Sequence, residues 1–138
     1  MKVLDDYIGA RLINDNALAA LLRTTDASPS VFLTRPIPDN AGYPIAMSVT
    51  RVSDVDEDLI NTEVRQITRD VVFYGRADEH DSLVASAAER GRELFHRIPF
   101  SVEGWRILEC RVRGPMTAPA EAHEMGLVVT LVMRAQRL

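Results

Sequence analysis

Apolar residues recur at two different periods along this chain, and the change of period marks out its elements. Leu4, Ile8 and Leu12 fall at helical spacing, and Ala17, Leu18, Leu21 and Leu22 form a second apolar stripe. Between them lies Asn14-Asp15-Asn16, short polar side chains that compete with the backbone for hydrogen bonds. Two short helical pieces are therefore expected, with Asp15 as the N-cap of the second. Val31 to Arg35 reads as a short strand stopped by Pro36 and Pro38, and Asp39 to Gly42 as a turn. From Pro44 the period falls to two. Ile45, Met47 and Val49 take one face of a strand that continues to Val52, and Ala46, Ser48 and Thr50 take the other.

After an acidic connection from Asp54 to Asn61, a third strand from about Thr62 places Ile67, Val71 and Phe73 on one face. The two strands form an antiparallel hairpin. Its distal half carries Glu63, Arg65, Gln66, Thr68 and Arg69, too few apolar positions to bury both faces, so it is expected to project and meet a neighbouring chain. Asp78 is expected to cap a helix running to about Ile98, with Val84, Ala87, Gly91, Leu94, Phe95 and Ile98 on its apolar stripe and Pro99 ending it. At 1.5 Å per residue this helix spans ~30 Å and lies along the whole sheet. Arg106 to Arg113 and Gly126 to Arg134 supply two more strands, separated by a surface loop broken by Pro115 and Pro119. The element order predicts an α+β fold, a mostly antiparallel sheet of four to five strands with helices packed on one face and a long projecting β-hairpin. No repeat or linker divides the chain, so residues 1–138 read as a single domain.

Composition acts mainly by exclusion. The net charge of −4, from 16 basic and 20 acidic residues, argues against a protein held to nucleic acid by backbone electrostatics. Lys2 is the only lysine, and arginine suits planar ion pairs across protein interfaces. No segment approaches the ~20 apolar residues that span a bilayer, so no membrane partner is expected. Asp5 and Asp6 interrupt the stretch where a signal peptide needs apolar residues, which predicts a chain made and kept in the cytoplasm.

Candidate chemistry is sparse. His80, His96 and His123 are scattered without HxH or HExxH spacing, and no cysteine pair exists, so no metal or other cofactor is expected. Asp54, Asp56 and Asp58 alternate like the start of a calcium loop, but Leu59 stands where that loop needs glycine and Arg65 where it needs glutamate. A phosphate-cradling glycine loop and a GxSxG elbow are both missing, so an enzyme is not expected. Cys110 sits on the apolar side of an alternating strand and reads as a buried thiol. What remains is charge pattern. Arg111 and Arg113 share one strand face with Glu109 between them and Ile107, and Arg65 and Arg69 share another. Together with the acidic tip of Asp54, Asp56 and Asp58, they are the candidates for a subunit interface.

The order of a two-part N-terminal helix, a short strand before a proline-rich loop, Tyr43-Pro44-Ile45-Ala46-Met47 opening a strand, and Arg69-Asp70-Val71-Val72-Phe73-Tyr74 feeding a helix resembles the tail-terminator, or tail-completion, family of tailed phages. It is also similar to the equivalent component of phage-derived gene transfer agents. The resemblance covers nearly the full chain, and the segment from Arg113 to Met125 departs from it as a long insertion. It implies a small structural subunit of the virion tail, in the neck region, that forms a hexameric ring, caps the tail tube and ends its polymerisation. The implied partners are further copies of itself, the tail tube protein and the head-tail connector protein, with DNA passing without specific binding through a lumen that the acidic tip of Asp54, Asp56 and Asp58 is expected to line, where negative charge lets it slide. It implies no cofactor and no active site. A neck, or stopper-like connector, protein and, further off, a small-molecule enzyme are the alternatives.

Overall fold

A computed structural model describes residues 2–25, 28–32, 42–58 and 62–138. The expected strand beyond Phe32, its stop at Pro36 and Pro38, most of the turn at 39–42, and residues 59–61 of the acidic connection lie outside them.

Helix α1 (Lys2–Ile13) buries Leu4, Ile8 and Leu12 completely, and a single-turn α2 (Asn16–Ala19) buries Leu18. Asp15 stands between them in extended conformation and accepts the Leu18 N–H at 2.9 Å, the expected cap. The same carboxylate accepts two hydrogen bonds from Arg90, at 2.9 Å from Nε and 2.7 Å from Nη2. The bond to Arg90 holds the Asp15 carboxyl below its ordinary value of 3.8, against the opposing pull of burial. A depressed pKa contributes stability that is present above the unfolded value and lost as pH falls toward the folded one. An Asp15→Asn variant is therefore expected to be less stable than wild type at pH 6, with the gap narrowing below about pH 4. Urea denaturation at several pH values checks this, and a gap constant from pH 6 to pH 3 contradicts it.

Strands β1 (Thr24–Thr25) and β2 (Ser28–Pro29) form a small separate ribbon. The main sheet contains β3 (Val31–Phe32), β4 (Ile45–Asp56), β5 (Val64–Arg76), β6 (Phe100–Val102), β7 (Trp105–Thr117) and β8 (Glu124–Arg137) in the order β3-β4-β5-β8-β7-β6. Among the described residues only the β3–β4 pairing is parallel. Helix α3 (Asp81–Phe95) lies across β5, β8 and β7, while α1 touches β3 and β4 near one edge and β6 at the other. Tyr7 of α1 stacks on Phe100 of β6, ring centroids 4.4 Å apart. The sheet therefore curls around its helices, all of which lie on one face. None of the helices among the described residues is long and apolar enough to cross a membrane.

The α+β expectation holds, with several corrections. The described sheet has six strands rather than four or five, because β6 forms a tight hairpin with β7 through Glu103-Gly104. Strand β7 does not stop at Arg113. It continues through Gly114 and Pro115 to Thr117 by way of a bulge between Arg113 and Met116, which shortens the expected loop. Gly114 has φ +94 and a Cβ there would lie 2.7 Å from the Val128 carbonyl oxygen, so the bulge requires glycine. Asp78 is not the cap of α3. It takes a left-handed conformation, φ 64, and its N–H donates to Asp81 Oδ1. The helix ends at Phe95, and Ile98 leaves the apolar stripe to stand 43% exposed.

The largest correction concerns the hairpin. Strand β5 pairs with β8 along its whole length, from Val64 opposite Gln136 to Arg76 opposite Glu124. Its polar half does not project; it is a central strand flanked by β4 and β8. Burial there is possible because β8 is equally long and because the cations facing the helices are neutralised inside the chain.

Candidate assembly interface

Arg69 shows how that neutralisation works. Its side chain is fully buried on the helix-bearing face, where Nε donates to Asp5 Oδ1 at 2.7 Å. Its Nη1 and Nη2 make a two-pronged contact with the Asp54 carboxylate, and Nη1 also reaches the Ser53 and Thr68 carbonyls. Burial alone would lower its pKa, but the hydrogen bonds to Asp54 and then Asp5 outweigh that and raise it. Arg69 has no surface to offer a neighbour, and Asp54 is its partner within the chain. The expectation that Arg69 faces another subunit is corrected on this ground.

Arg65 lies on the same face, as expected, but at its rim. It sits over the Trp105 ring at 5.0 Å, and it is paired with Asp56 at 3.3 Å and Glu63 at 3.0 Å. The Asp56 side chain stays 72% exposed. Asp58 accepts the Val64 N–H at 3.2 Å, and Glu57 pairs with Arg134 at 3.5 Å.

Arg111 and Arg113 occupy the opposite face of the sheet, against which no described helix packs. Cross-strand pairing builds that face in rows. Val55, Gln66, Arg134 and Glu109 form the first; Ser53, Thr68, Val132 and Arg111 the second; Asp70, Thr130 and Arg113 the third. The Thr130 hydroxyl donates to Asp70 at 2.6 Å, and Arg111 is paired with Glu109. Arg113 has no charged partner among the described residues. Gln66, Val132, Glu109 and the three arginines line a shallow basin of about 230 Å³. Toward the other end the face turns apolar, with Ile45, Val72, Tyr74 and Ala118 buried together. The seven sequence candidates are thus divided, with Arg65 and Arg69 on one face and Arg111 and Arg113 on the other.

Sequence reasoning missed the groove beside β7. A bulge at Leu108 separates Ile107, paired with Ala135, from Glu109, paired with Arg134. It turns both Ile107 and Cys110 inward and leaves Leu108 49% exposed. Leu108 and Ile98, with Arg97 and Arg111 beside them, line a groove of about 350 Å³. The signal was present: Trp105 and Ile107 alternate in one phase, Cys110 and Val112 in the other, so an extra residue must lie between.

The other candidate groups serve the fold. The Arg76 N–H donates to His80 Nδ1, and the Val112 N–H donates to His96 Nδ1, each at 3.0 Å. Burial, with Arg92, Arg97 and Arg111 nearby, lowers the His96 pKa and favours the neutral ring that this bond needs. Burial pushes the Cys110 thiol up to about 12, in keeping with an inert core residue. Glu121, His123 and Glu124 bring donor atoms within 4.8 Å of one another at the surface, but Glu124 is engaged by the Tyr43 hydroxyl and the Glu121 N–H.

No family model matches this sequence, and no curated protein matches it. The fold is nevertheless shared from end to end with a chain of a solved structure, the virion of a native gene transfer agent particle. The TM-score is 0.82 at 14% identity, and the match covers 98% of this chain and 96% of that one. At that identity the likeness is one of fold.

Proposed function

We propose that this chain is a structural subunit of a phage-like particle, and within it the tail terminator. In this reading copies form a ring, six subunits by the family resemblance, that caps the tail tube at the end away from the baseplate. The ring stops tube polymerisation and presents the surface on which the head connector docks. Tube protein, connector protein and further copies of the chain are its partners; DNA passes through the bore, and no catalysis or cofactor takes part.

The observation that carries the reading is the end-to-end fold likeness to a chain of a gene transfer agent virion. A sheet face against which no described helix packs supports it, since Arg111 and Arg113 stand exposed there. Particles made without this chain are expected to carry tails of irregular length, the length distribution widening several-fold in electron micrographs. Tails of normal length that lack heads favour a neck protein instead. Unaltered particles contradict both readings.

A further inference from the structure

We propose that α3 is fastened to the sheet by a histidine clasp at each end, His80 and His96, and that gain of a proton by the two rings opens both ends while the middle of the helix stays docked. The inference is independent of the ring reading above.

The two residues flank α3 directly, His80 before Asp81 and His96 after Phe95. Each ring makes the same contact. Its Nδ1 accepts the backbone N–H of a strand, Arg76 of β5 for His80 and Val112 of β7 for His96, each at 3.0 Å. Both N–H groups lie past the last strand pairing on their side. Among the described residues, β4 pairs with β5 no further than Tyr74, opposite Ile45, and β6 pairs with β7 no further than Ile107, opposite Phe100. Each imidazole thus stands in for the acceptor that a further strand would supply.

The surroundings are shaped for this contact. A Cβ on Gly75 would lie 2.7 Å from His80 Cβ and 2.6 Å from Val84 Cγ2, so glycine lets the first turn of α3 close onto β5. At the other end, the Arg97 N–H donates to the Cys110 carbonyl at 2.9 Å, and Arg92 Nη1 donates to the Val112 and Gly114 carbonyls. His96 adds the one acceptor to a set of donors.

A neutral imidazole offers one acceptor nitrogen, whereas an imidazolium offers two donors and no acceptor. Protonation therefore sets N–H against N–H at both sites, whichever way the ring turns. At His80, Glu79 Oε1 lies 3.6 Å from Nε2, so a charged ring has a partner waiting as it gives up the Arg76 N–H. The other carboxylates of that end are engaged: Asp81 accepts the Asp78 N–H, and Glu124, opposite Arg76, takes the Tyr43 hydroxyl and the Glu121 N–H. His123 lies in the same loop, its ring 4.0 Å from Glu121. At His96, Arg92, Arg97 and Arg111 face the ring, and the Glu109 carboxylate is paired with Arg111. Burial, with these three cations, lowers the His96 pKa, so the stability its bond contributes is full above the ordinary value of 6.5 and is lost as the pH falls below it.

The middle of α3 depends on neither ring. Gly91 rests on Phe73, and Ala87 and Ala88 belong to the main core. Acid therefore frees the two helix ends and leaves the fold in place.

The test is amide exchange with solvent, followed by NMR on the full chain from about pH 7.5 to about pH 4.5 and corrected for the intrinsic rate, with the histidine ring signals titrated in the same samples. Protection of the Arg76 and Val112 amides is expected to fall about tenfold, each with the midpoint of its own ring, while the Val129 and Leu131 amides of β8 keep theirs. His80→Asn and His96→Asn place a neutral carbonyl near the Nδ1 position. Each is expected to hold its own amide protected across the range and to leave the other responding. Protection that stays constant while both rings titrate overturns the proposal, as does a loss that persists unchanged in the asparagine variants, since carboxylates would then be its cause. Loss at one amide alone overturns the paired clasp. Where a variant does not fold, the wild-type midpoints decide, and a loss whose midpoint differs from that of its ring overturns the proposal.

Discussion

Replacing Arg69 with methionine is expected to destabilise the folded chain by about 3 kcal/mol, a large share of the 5–15 kcal/mol typical of a domain. The guanidinium is fully buried and holds two carboxylates, Asp5 and Asp54, whose side chains are themselves only 23% and 21% exposed. Methionine fills much of the volume but leaves those carboxylates facing each other without their cation. Breaking one partner out of a buried ionic cluster costs about 3–5 kcal/mol, and the residual exposure of both aspartates places this case at the lower end. Apolar replacement of all three, Asp5→Leu, Asp54→Val and Arg69→Met, is expected to recover most of the loss, because the cation and both its carboxylates are then removed together. Urea midpoints of the two variants decide it. A loss below about 1 kcal/mol for Arg69→Met would show that water already reaches the cluster.

A Gly91→Ala variant is expected to lose about 2 kcal/mol, opposite in sign to the usual effect of alanine in a helix. A Cβ at Gly91 would lie 2.8 Å from Phe73 Cζ and 3.0 Å from Cε2. Phe73 is completely buried in the main core, so the ring can move only by displacing its neighbours. Glycine thus lets α3 lie directly on the aromatic ring at the centre of the sheet. A shorter side chain opposite relieves the clash, so adding Phe73→Leu should cost less in the Gly91→Ala background than in wild type, with a coupling of about 1 kcal/mol or more. Strict additivity in that double-mutant cycle contradicts the packing described.

The same residues show what the sequence could and could not reveal. Elements set by local rules were legible: the helical spacing of Leu4, Ile8 and Leu12, the Asp15 cap, the alternation of Ile67, Val71 and Phe73, and the buried Cys110. Arg69 was misread because its two partners come from distant segments. Polarity in a strand signals exposure unless a carboxylate 64 positions away in the sequence neutralises it. Once Arg69 counts as core, the distal half of β5 no longer has a reason to project. Bulges were the second blind spot. One inserted residue inverts the face of every residue beyond it, so uniform alternation placed Ile107 with Glu109, Arg111 and Arg113, whereas the chain turns it inward. The arginine face formed by Arg111 and Arg113 was recovered, while the groove at Leu108 depends on that bulge and on the left-handed turn at Arg97.

The most direct test of the central claim is the position of the chain in finished particles. Leu138 is 70% exposed, so a short C-terminal epitope can be reached by antibody without disturbing the core. Electron microscopy of labelled particles should show the antibody at a single level, where the tail meets the head. Label spread along the tube, label at the baseplate end, or particles without label would contradict the account.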